Sequence, residues 1–251
     1  MNYNDLILQW KYEEDFAFQG WDFSHINGRW MSEPLPWDYR TIVLSILKST
    51  DNLLDMGTGG GEFLMSLKHP FALTSVTEAH PPNVELCKKK LAPHGITVMQ
   101  TYDDDKLPFQ NDSFDIVINR HESFDPAEVG RVLKKGGYFI TQQVGGENDR
   151  DLSQRLIKDF TPKFSMHMLQ QNSEMLRRSG FTIHECQEAF TPVRFFDVGA
   201  LVYFAKIVEW EFPNFSVNNS LDSLCQIQKE IEKKGFVQGK EHRFIIVAQK
   251  T

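Results

Sequence analysis

The sequence predicts an α/β fold in which a parallel β-sheet carries helices on both faces. Short apolar runs alternate with helical patterns from Asn52 to about Phe190. One run, Phe114 to Ile118, is apolar almost throughout, as is typical of parallel strands that are buried on both faces. Strands that alternate with helices are joined by right-handed crossovers, so the expected architecture is a doubly wound, mostly parallel sheet.

The individual elements follow from local patterns. Expected strands are Leu53–Met56, Leu73–Thr77, Ile96–Met99, Phe114–Ile118, Tyr138–Val144 and His242–Gln249. Expected helices are Glu62–Lys68, Pro82–Leu91 and Glu128–Leu133. Val84, Cys87 and Leu91 recur at helical spacing, which gives the second helix an apolar side. Gly136 and Gly137 are expected to stop the third helix.

Two regions break this alternation within what we expect to be a single domain over residues 1–251. Residues 1–40 form a segment that contains Trp10, Trp21, Trp30 and Trp37, and residues 195–234 form a helical insertion before the last strand. Such a concentration of aromatic rings must be buried, either as cover for the core or as a lid at the carboxyl edge of the sheet. We favour the lid, with Trp30 as a stacking wall for the substrate and Arg29 as an anion contact.

Composition and charge narrow the class of protein. The net charge of −7 and the pI near 5.6 disfavour a nucleic-acid-binding surface, since such surfaces are basic. Met1 to Trp10 has no basic region before an apolar run, and no stretch approaches the roughly 18 apolar residues of a membrane span. Three widely spaced cysteines without a paired motif suit reduced thiols. We therefore expect a cytoplasmic protein without membrane or metal sites.

A glycine turn follows the first predicted strand. The segment Leu53-Leu54-Asp55-Met56-Gly57-Thr58-Gly59-Gly60-Gly61-Glu62 runs from a strand through alternate glycines into a helix, which lets a ligand approach the main chain. The dinucleotide fingerprint requires glycine where Glu62 stands, and no Lys-Ser/Thr pair completes a phosphate loop. Nicotinamide and nucleoside triphosphate ligands are therefore disfavoured.

Four ordered motifs resemble the class I S-adenosylmethionine (SAM)-dependent methyltransferases. The first is the glycine turn from Asp55 to Gly61, and the second is Glu78 at the end of the second strand. The third is Tyr102-Asp103-Asp104-Asp105-Lys106-Leu107-Pro108-Phe109, similar to the family's acid and Leu-Pro-Phe stretch. The fourth combines Ser113-Phe114-Asp115-Ile116-Val117 with Arg131-Val132-Leu133-Lys134-Lys135-Gly136-Gly137, which resemble the fourth strand and the turn into the fifth.

This resemblance implies a seven-stranded sheet whose last strand is antiparallel, SAM as the cofactor, and a set of contact residues. Glu78 is implied to accept the two ribose hydroxyls, and Asp103, or next Asp104, the adenine amino group. The implied cofactor contacts are Asp55, Gly57, Thr58, Gly59, Gly61, Glu78, Ala79, Asp103, Asp104 and Asn119. Tyr102 replaces the glycine that usually precedes the adenine-binding acid, and Lys135 replaces the usual proline of the later turn.

The acceptor side is predicted from the residues that follow the fourth strand. Asn119-Arg120-His121-Glu122 lies where open α/β sheets place ligands, so His121 and Glu122 are the candidate general bases and Arg120 a substrate contact. The aromatic lid and the helical insertion suit an enclosed pocket, and such a pocket favours a small-molecule acceptor. The alternatives are an RNA or protein methyltransferase and a non-catalytic SAM-binding regulator. No Pro-Cys dipeptide occurs, which disfavours cytosine methylation through a thiol.

Overall fold

A computed structural model of the protein describes residues 3–18 and 23–251. The chain forms two compact units. Unit 1 comprises Met1–Leu35, Gly145–Met166 and Ala189–His242, and unit 2 comprises Pro36–Val144, His167–Glu188 and Arg243–Thr251. The assignment of residues 1–251 to a single domain stays a prediction.

The structure contains the alternation of strands and helices that the sequence predicts. The strands are β1 (Trp30–Ser32), β2 (Leu53–Met56), β3 (Thr74–Glu78), β4 (Thr97–Gln100), β5 (Phe114–Arg120), β6 (Leu133–Val144), β7 (Phe181–Phe195) and β8 (Val237–Lys250). The helices are α1 (Tyr3–Asp15), α2 (Tyr39–Ile46), α3 (Glu62–Ser66), α4 (Pro81–Lys90), α5 (Pro126–Val132), α6 (Arg150–Leu156), α7 (Leu169–Arg178), α8 (Val198–Ile207) and α9 (Leu221–Lys234). The last two strands, β7 and β8, have residues in both units.

Unit 2 contains a seven-stranded sheet with the order β7-β8-β6-β5-β2-β3-β4. The pairs β2–β3, β2–β5, β3–β4 and β5–β6 are parallel, whereas β8 is antiparallel to β6. The predicted fold class, a mostly parallel sheet with an antiparallel last strand, is therefore confirmed. The chain reverses its direction of progress across the sheet between β2 and β5, and at such switch points open α/β sheets bind their ligands.

Two hydrophobic clusters cover the sheet of unit 2. Adjacent residues of β2 belong to different clusters, Leu53 to one and Leu54 to the other, because successive side chains of a strand point to opposite faces. The first cluster includes Val43 of α2 and Cys87 of α4. The second includes Val129 of α5 and, from α7, Leu176. Helices thus pack on both faces, which confirms the doubly wound arrangement.

Several predicted element boundaries were wrong, each for a local reason. The third predicted helix runs over Pro126–Val132 instead of Glu128–Leu133, because the Asp125 side chain caps it through the Glu128 N–H. The helix therefore ends before Gly136, which lies within β6 with a positive φ of 77°. The last strand begins at Val237, five residues before the predicted start at His242.

Unit 1 has its own core, built from helices and from aromatic rings of the amino-terminal segment. Trp10 of α1 is 2% exposed and lies in the cluster that contains Tyr203 and Phe195. Phe23 packs on Trp30 with ring centroids 6.0 Å apart. Within unit 1 Trp10 is therefore a core residue, and Phe18, Phe23 and Trp30 pack against the same cluster, whereas Tyr3, Tyr12 and Phe16 are exposed. Trp37 belongs to unit 2, and Trp21 lies outside the described residues.

Helix α8 explains why the sequence of the insertion is so apolar. Eight of its ten residues are buried, from Val198 to Ala205. A helix that is apolar on all sides is buried on all sides, and here it packs in the core cluster of unit 1. The Asp197 side chain accepts a hydrogen bond from the Ala200 N–H and so caps its first turn. The predicted helical character of residues 195–234 is present in α8 and α9, and Phe195 is the last residue of β7.

Candidate cofactor-binding and active site

The glycine turn between β2 and α3 adopts the backbone conformation that its glycines permit. Gly57, Gly59 and Gly61 have φ values of 67°, 62° and 79°. The N–H groups of Gly57 and Thr58 both donate to the Thr77 carbonyl at 3.1 Å, which fixes the turn against the end of β3. Left-handed backbone is available to glycine without the steric cost that a Cβ brings. These hydrogen bonds thus fix the conformation of the turn at the carboxyl edge of the sheet.

The Glu122 side chain lies directly against this turn. A Cβ at position 57 would lie 2.5 Å from the Glu122 Cβ and 2.9 Å from its Oε2. The Cβ position of Gly59 is open, with no atom of the described residues within 4 Å. Glycine is therefore required at position 57 for close approach of Glu122, and space for a ligand remains over Gly59.

Glu78 links the end of β3 to the glycine turn. Its Oε2 accepts a hydrogen bond from the Gly59 N–H at 2.8 Å, and its Oε1 accepts one from the His80 N–H at 2.9 Å. The side chain belongs to a residue that is only 5% exposed. Two backbone donors thus fix the orientation of this carboxylate, and each oxygen keeps a further lone pair for a ligand hydroxyl.

Asp55 is a second buried carboxyl group at this edge. The residue is 4% exposed, and burial raises the pKa of its carboxyl to about 7, with a further contribution from the Glu78 charge and an opposing one from Arg120. A buried carboxylate without a neutralising partner is costly, so a cationic ligand nearby favours its ionised form.

Asp103 and Asp104 differ in their surroundings, although both follow β4. Asp103 is exposed, whereas Asp104 is half-buried and its carboxylate accepts a hydrogen bond from the Ser123 hydroxyl. Burial raises the pKa of Asp104, and the Ser123 hydrogen bond opposes that shift. Tyr102 is 69% exposed. The structure brings Asp104, and not Asp103, together with the loop that follows β5.

These surroundings lead to a prediction about the adenine-binding acid. We expect Asp104→Asn to weaken SAM binding about tenfold, because an amide replaces a half-buried charged acceptor. The matched variant Asp103→Asn, in the neighbouring exposed position, should change the affinity less than twofold. Isothermal calorimetry on both variants measures the difference. The reverse ranking would place Asp103 at the adenine, as the aligned motif implies.

Glu122 is the carboxyl group in this cluster with the most suitable properties for proton transfer. Burial raises the pKa of Glu122 to about 7, and the charges of Asp104 and Glu78 add to the shift. A general base works best when its pKa lies near the working pH. The side chain is partly exposed, so a substrate can reach it.

His121 has a different environment from its neighbour. The dense protein surroundings and the guanidinium groups of Arg243 and Arg120 lower the pKa of His121, although solvent reaches the side chain. Its backbone has a φ of 65°, which is uncommon for a residue with a side chain. A lowered pKa makes the imidazole a weaker proton acceptor, so Glu122 is the better candidate for a base.

The remaining predicted cofactor contacts of unit 2 lie at the same strand ends. Asn119 is fully buried at the end of β5, and its Oδ1 accepts hydrogen bonds from Thr141 and Gln143. The Ala79 carbonyl accepts a hydrogen bond from the Gln100 side chain at 3.4 Å. Arg120 is exposed and stacks over the Phe63 ring at 5.5 Å.

Arg29 and Trp30, predicted as substrate contacts, make their described contacts inside unit 1. The Arg29 guanidinium donates to both Asp197 oxygens, at 2.9 and 2.6 Å, and to Glu13 at 2.8 Å. Trp30 stacks on Phe195 with ring centroids 6.1 Å apart. Two carboxylates thus neutralise Arg29 already, and its role as an anion contact stays a prediction.

A polar cluster at the end of β6 was missed by the sequence-based reasoning. Three successive polar residues of β6 are buried inside the sheet: Thr141, Gln142 and Gln143. Gln143 donates to the Glu122 carbonyl, and Gln142 contacts the His121 ring. Buried polar side chains require partners, so three polar residues in succession within the predicted buried strand were an available signal.

The acidic side chains at this edge of the sheet fit a SAM molecule by their chemistry. A carboxylate held by backbone N–H groups suits the ribose hydroxyls, and Asp55, Asp104 and Glu122 place negative charge where a sulfonium and an ammonium group would be favoured. The described residues contain no group of three His, Cys, Asp or Glu side chains that could hold a metal ion. They also contain no helix with the length and apolar character of a membrane span.

Comparison with known proteins shows which family part of this chain matches. Residues 54–141 match the protein family described as "Methyltransferase domain". The phthiotriol/phenolphthiotriol dimycocerosates methyltransferase of Mycobacterium tuberculosis is 31% identical over 134 residues, which cover 49% of this chain and 47% of that protein. Its counterpart from Mycobacterium leprae is 28% identical over 195 residues, or 68% of this chain and 65% of that protein. The chain spans about half the length of the first of these curated relatives.

A solved structure supports the same fold. A protein of Bacillus halodurans, described as a candidate methyltransferase, has a TM-score of 0.58 and 19% identity, over 85% of this chain and 98% of that one. The match over residues 54–141 and the shared fold therefore confirm the resemblance of these motifs to the class I, Rossmann-like SAM-dependent methyltransferases. Residues 54–141, which hold the glycine turn, Glu78 and the end of β5, are the matched part of the chain.

Proposed function

We propose that this protein transfers the methyl group of SAM to a small-molecule acceptor that loses a proton in the reaction, such as a hydroxyl compound. One observation carries the proposal: the Glu122 carboxyl, with a pKa of about 7, lies against Gly57 of the glycine turn at the carboxyl edge of the sheet. That position puts a proton acceptor beside the cofactor site. The family match supports the cofactor, and the phthiotriol-named relatives support a small-molecule acceptor.

When bound, the cofactor supplies an electrophilic methyl group on a sulfonium. The residues of this chain then have separate tasks. Glu78 binds the ribose hydroxyls and orients the cofactor through its two fixed oxygens. The buried Asp55, at the end of β2, favours a positive charge on the ligand. Glu122 takes the proton that leaves the acceptor. Because positioning alone contributes up to ~7–11 kcal/mol, no covalent intermediate or metal is required for a large rate enhancement.

The charge of this edge supports a small acceptor over RNA. The Glu78 charge helps to raise the pKa of Asp55, and the charges of Asp104 and Glu78 help to raise the pKa of Glu122. These four carboxyl groups therefore lie close together, and they would repel a phosphate backbone. Protein substrates and a non-catalytic SAM-binding role are the alternatives, and the non-catalytic role requires no titrating carboxyl beside the cofactor site. The unpaired cysteines Cys87, Cys186 and Cys225 support a location in the reducing cytoplasm.

The pKa shifts predict a pH dependence of cofactor selectivity. SAM carries a sulfonium charge that its demethylated product S-adenosylhomocysteine lacks, so their affinity ratio isolates the effect of that charge. With pKa values near 7, Asp55 and Glu122 are ionised above neutral pH and become protonated below it. We expect the preference for SAM to increase several-fold, up to about tenfold, between roughly pH 5.5 and 8. Calorimetry with both ligands across this range gives the ratio.

Two variants serve as controls for that titration. Glu122→Gln removes one titrating group and should flatten the dependence. Glu62→Gln removes a carboxylate that is exposed and paired with Lys90, and it should leave the dependence unchanged. A preference for SAM that decreases with rising pH would contradict the assigned charge effect.

The transfer itself is tested by an unbiased screen. Purified protein is incubated with SAM and fractionated small-molecule extracts, and mass spectrometry detects products that have gained one methyl group. Glu122→Gln is the matched control, since it should retain SAM binding and lose most of the turnover. Methylation confined to RNA or protein fractions, or equal turnover by Glu122→Gln, would reject the proposal.

A further inference from the structure

His121 is attached to Gln142 twice, through its main chain and through its ring. The His121 N–H donates to the Gln142 carbonyl at 2.8 Å, and the His121 Nε2 lies 3.1 Å from the Gln142 Nε2. Gln142 is only 6% exposed, whereas the His121 side chain is open to solvent. A buried side chain thus contacts the Nε2 edge of the imidazole of an exposed residue.

Trp37 determines which way this pair is oriented. The Trp37 Nε1–H lies 2.9 Å from the Gln142 Oε1, and an indole nitrogen can only donate a hydrogen bond. The oxygen of Gln142 therefore faces Trp37, and its NH₂ group faces His121. Because an NH₂ group can only donate, the His121 Nε2 must accept. The ring is then neutral, with its proton on Nδ1.

The backbone and the charges around His121 support the same state. Its φ of 65° places a residue with a side chain in the left-handed region, which costs free energy and is characteristic of functional positions. The guanidinium groups of Arg243 and Arg120 disfavour a second proton on the ring and help to lower the pKa of His121, after the larger effect of its protein surroundings. Among the described residues, Nδ1 has no hydrogen-bond partner.

We propose that Trp37 and Gln142 are positioning residues, which hold His121 as the neutral Nδ1–H tautomer so that this N–H donates a hydrogen bond to an oxygen of the methyl acceptor. The assignment of an acceptor rests on the proposed function. The two neighbouring residues then have different roles. Glu122 accepts the proton of the acceptor, and His121 orients the acceptor oxygen without exchanging a proton. An oxygen-containing acceptor, with a hydroxyl, carbonyl or carboxyl group, is the chemical class that this donor recognises.

A second glutamine–histidine pair in unit 2 provides a matched control. The His184 Nε2 lies 2.9 Å from the Gln249 Oε1, and the Gln249 NH₂ group donates to the Gly136 carbonyl at 2.8 Å. The oxygen of Gln249 therefore faces the ring, and His184 must donate from Nε2. The two exposed imidazoles are thus expected in opposite tautomers for the same kind of partner.

Nitrogen-15 NMR of histidine-labelled full-length protein distinguishes the two tautomers directly. At mildly alkaline pH, His121 should show an unprotonated Nε2 and His184 a protonated one. The Gln142→Glu variant keeps an acceptor for the Trp37 N–H but offers the ring only acceptor oxygens, so we expect the His121 tautomer ratio to reverse by at least about tenfold. Gln249→Glu should leave both rings unchanged.

A second variant keeps the test decisive if Gln142→Glu does not fold. Trp37→Phe removes the N–H that orients Gln142, and both His121 tautomers should then be populated. A protonated Nε2 of His121 in the wild type, or an unchanged tautomer in both variants, would overturn the proposal. The measurement uses neither cofactor nor acceptor, so its failure is distinguishable from a failure of the proposed methyl transfer, which SAM binding and the methylation screen report.

Discussion

Glu78→Gln is expected to weaken the binding of SAM and of S-adenosylhomocysteine by roughly ten- to hundredfold. Hydrogen bonds to charged groups contribute about 1.5–3 kcal/mol, and the variant loses a charged acceptor for ribose hydroxyls. The fold should tolerate the change, because the remaining amide oxygen can still accept from the Gly59 or the His80 N–H. Calorimetry with both ligands measures the loss, which should be similar for the two since they share the ribose.

The control for this variant is Glu85→Gln, which changes an exposed carboxylate of α4 that pairs with Lys88. This variant loses the same charge, but residue 85 lies outside the glycine turn. Its SAM affinity should therefore stay within about twofold of the wild type. Equal affinity of the Glu78 variant and the wild type would remove Glu78 from the cofactor site. A loss confined to SAM would instead indicate an effect of charge on the sulfonium.

Gly57→Ala should be the most damaging small substitution in the site. The new methyl group would lie 2.5 Å from the Glu122 Cβ, and alanine would have to adopt a φ of 67°. The left-handed backbone costs roughly 1–2 kcal/mol, and overpacking typically costs a further 1–3 kcal/mol. We expect a drop of about 2–5 kcal/mol in the free energy of unfolding, together with loss of measurable SAM binding, because Glu122 or the turn must move.

Gly59→Ala separates the cost of the left-handed backbone from the cost of the contact with Glu122. It has the same positive φ but open space at its Cβ position, so chemical denaturation should show only the backbone cost of about 1–2 kcal/mol. A double variant, Gly57→Ala with Glu122→Gly, removes all three contacting atoms of Glu122, including its Cβ, and should recover stability relative to Gly57→Ala alone. Equal destabilisation by Gly57→Ala and Gly59→Ala would show that the contact with Glu122 is unimportant.

The fold of unit 2 could be predicted from the sequence because its strands are buried and its turns are marked. Leu53–Met56 was predicted with its observed bounds, since glycines follow it directly and all four of its residues are buried. The last strand was predicted too short, because Val237 to Glu241 carry polar residues that resemble a loop. The short strand β1 gave no periodic signal, since three residues cannot show one.

Sequence motifs assign the cofactor half of the candidate site more fully than its acceptor half, and both assignments stay predictions. Asp55, Glu78 and the glycine turn occur in a motif whose order along the chain is informative. Gln142 of β6 contacts His121, and Trp37, which precedes β2, contacts Gln142. Both come from segments distant from His121, so no local pattern predicts this arrangement. The packing of Arg29 between Asp197 and Glu13 likewise depends on a contact across 168 residues of the chain.

The most direct test of the central claim is a competition between cofactors for the purified protein. Calorimetry should show that SAM and S-adenosylhomocysteine bind, whereas NAD and ATP do not bind with comparable affinity. The reason is the turn itself: Glu62 stands where a dinucleotide site has glycine, and Asp55, Glu78 and Glu122 disfavour phosphate groups. Binding of NAD or ATP in preference to SAM would contradict the assignment of this edge as a SAM site.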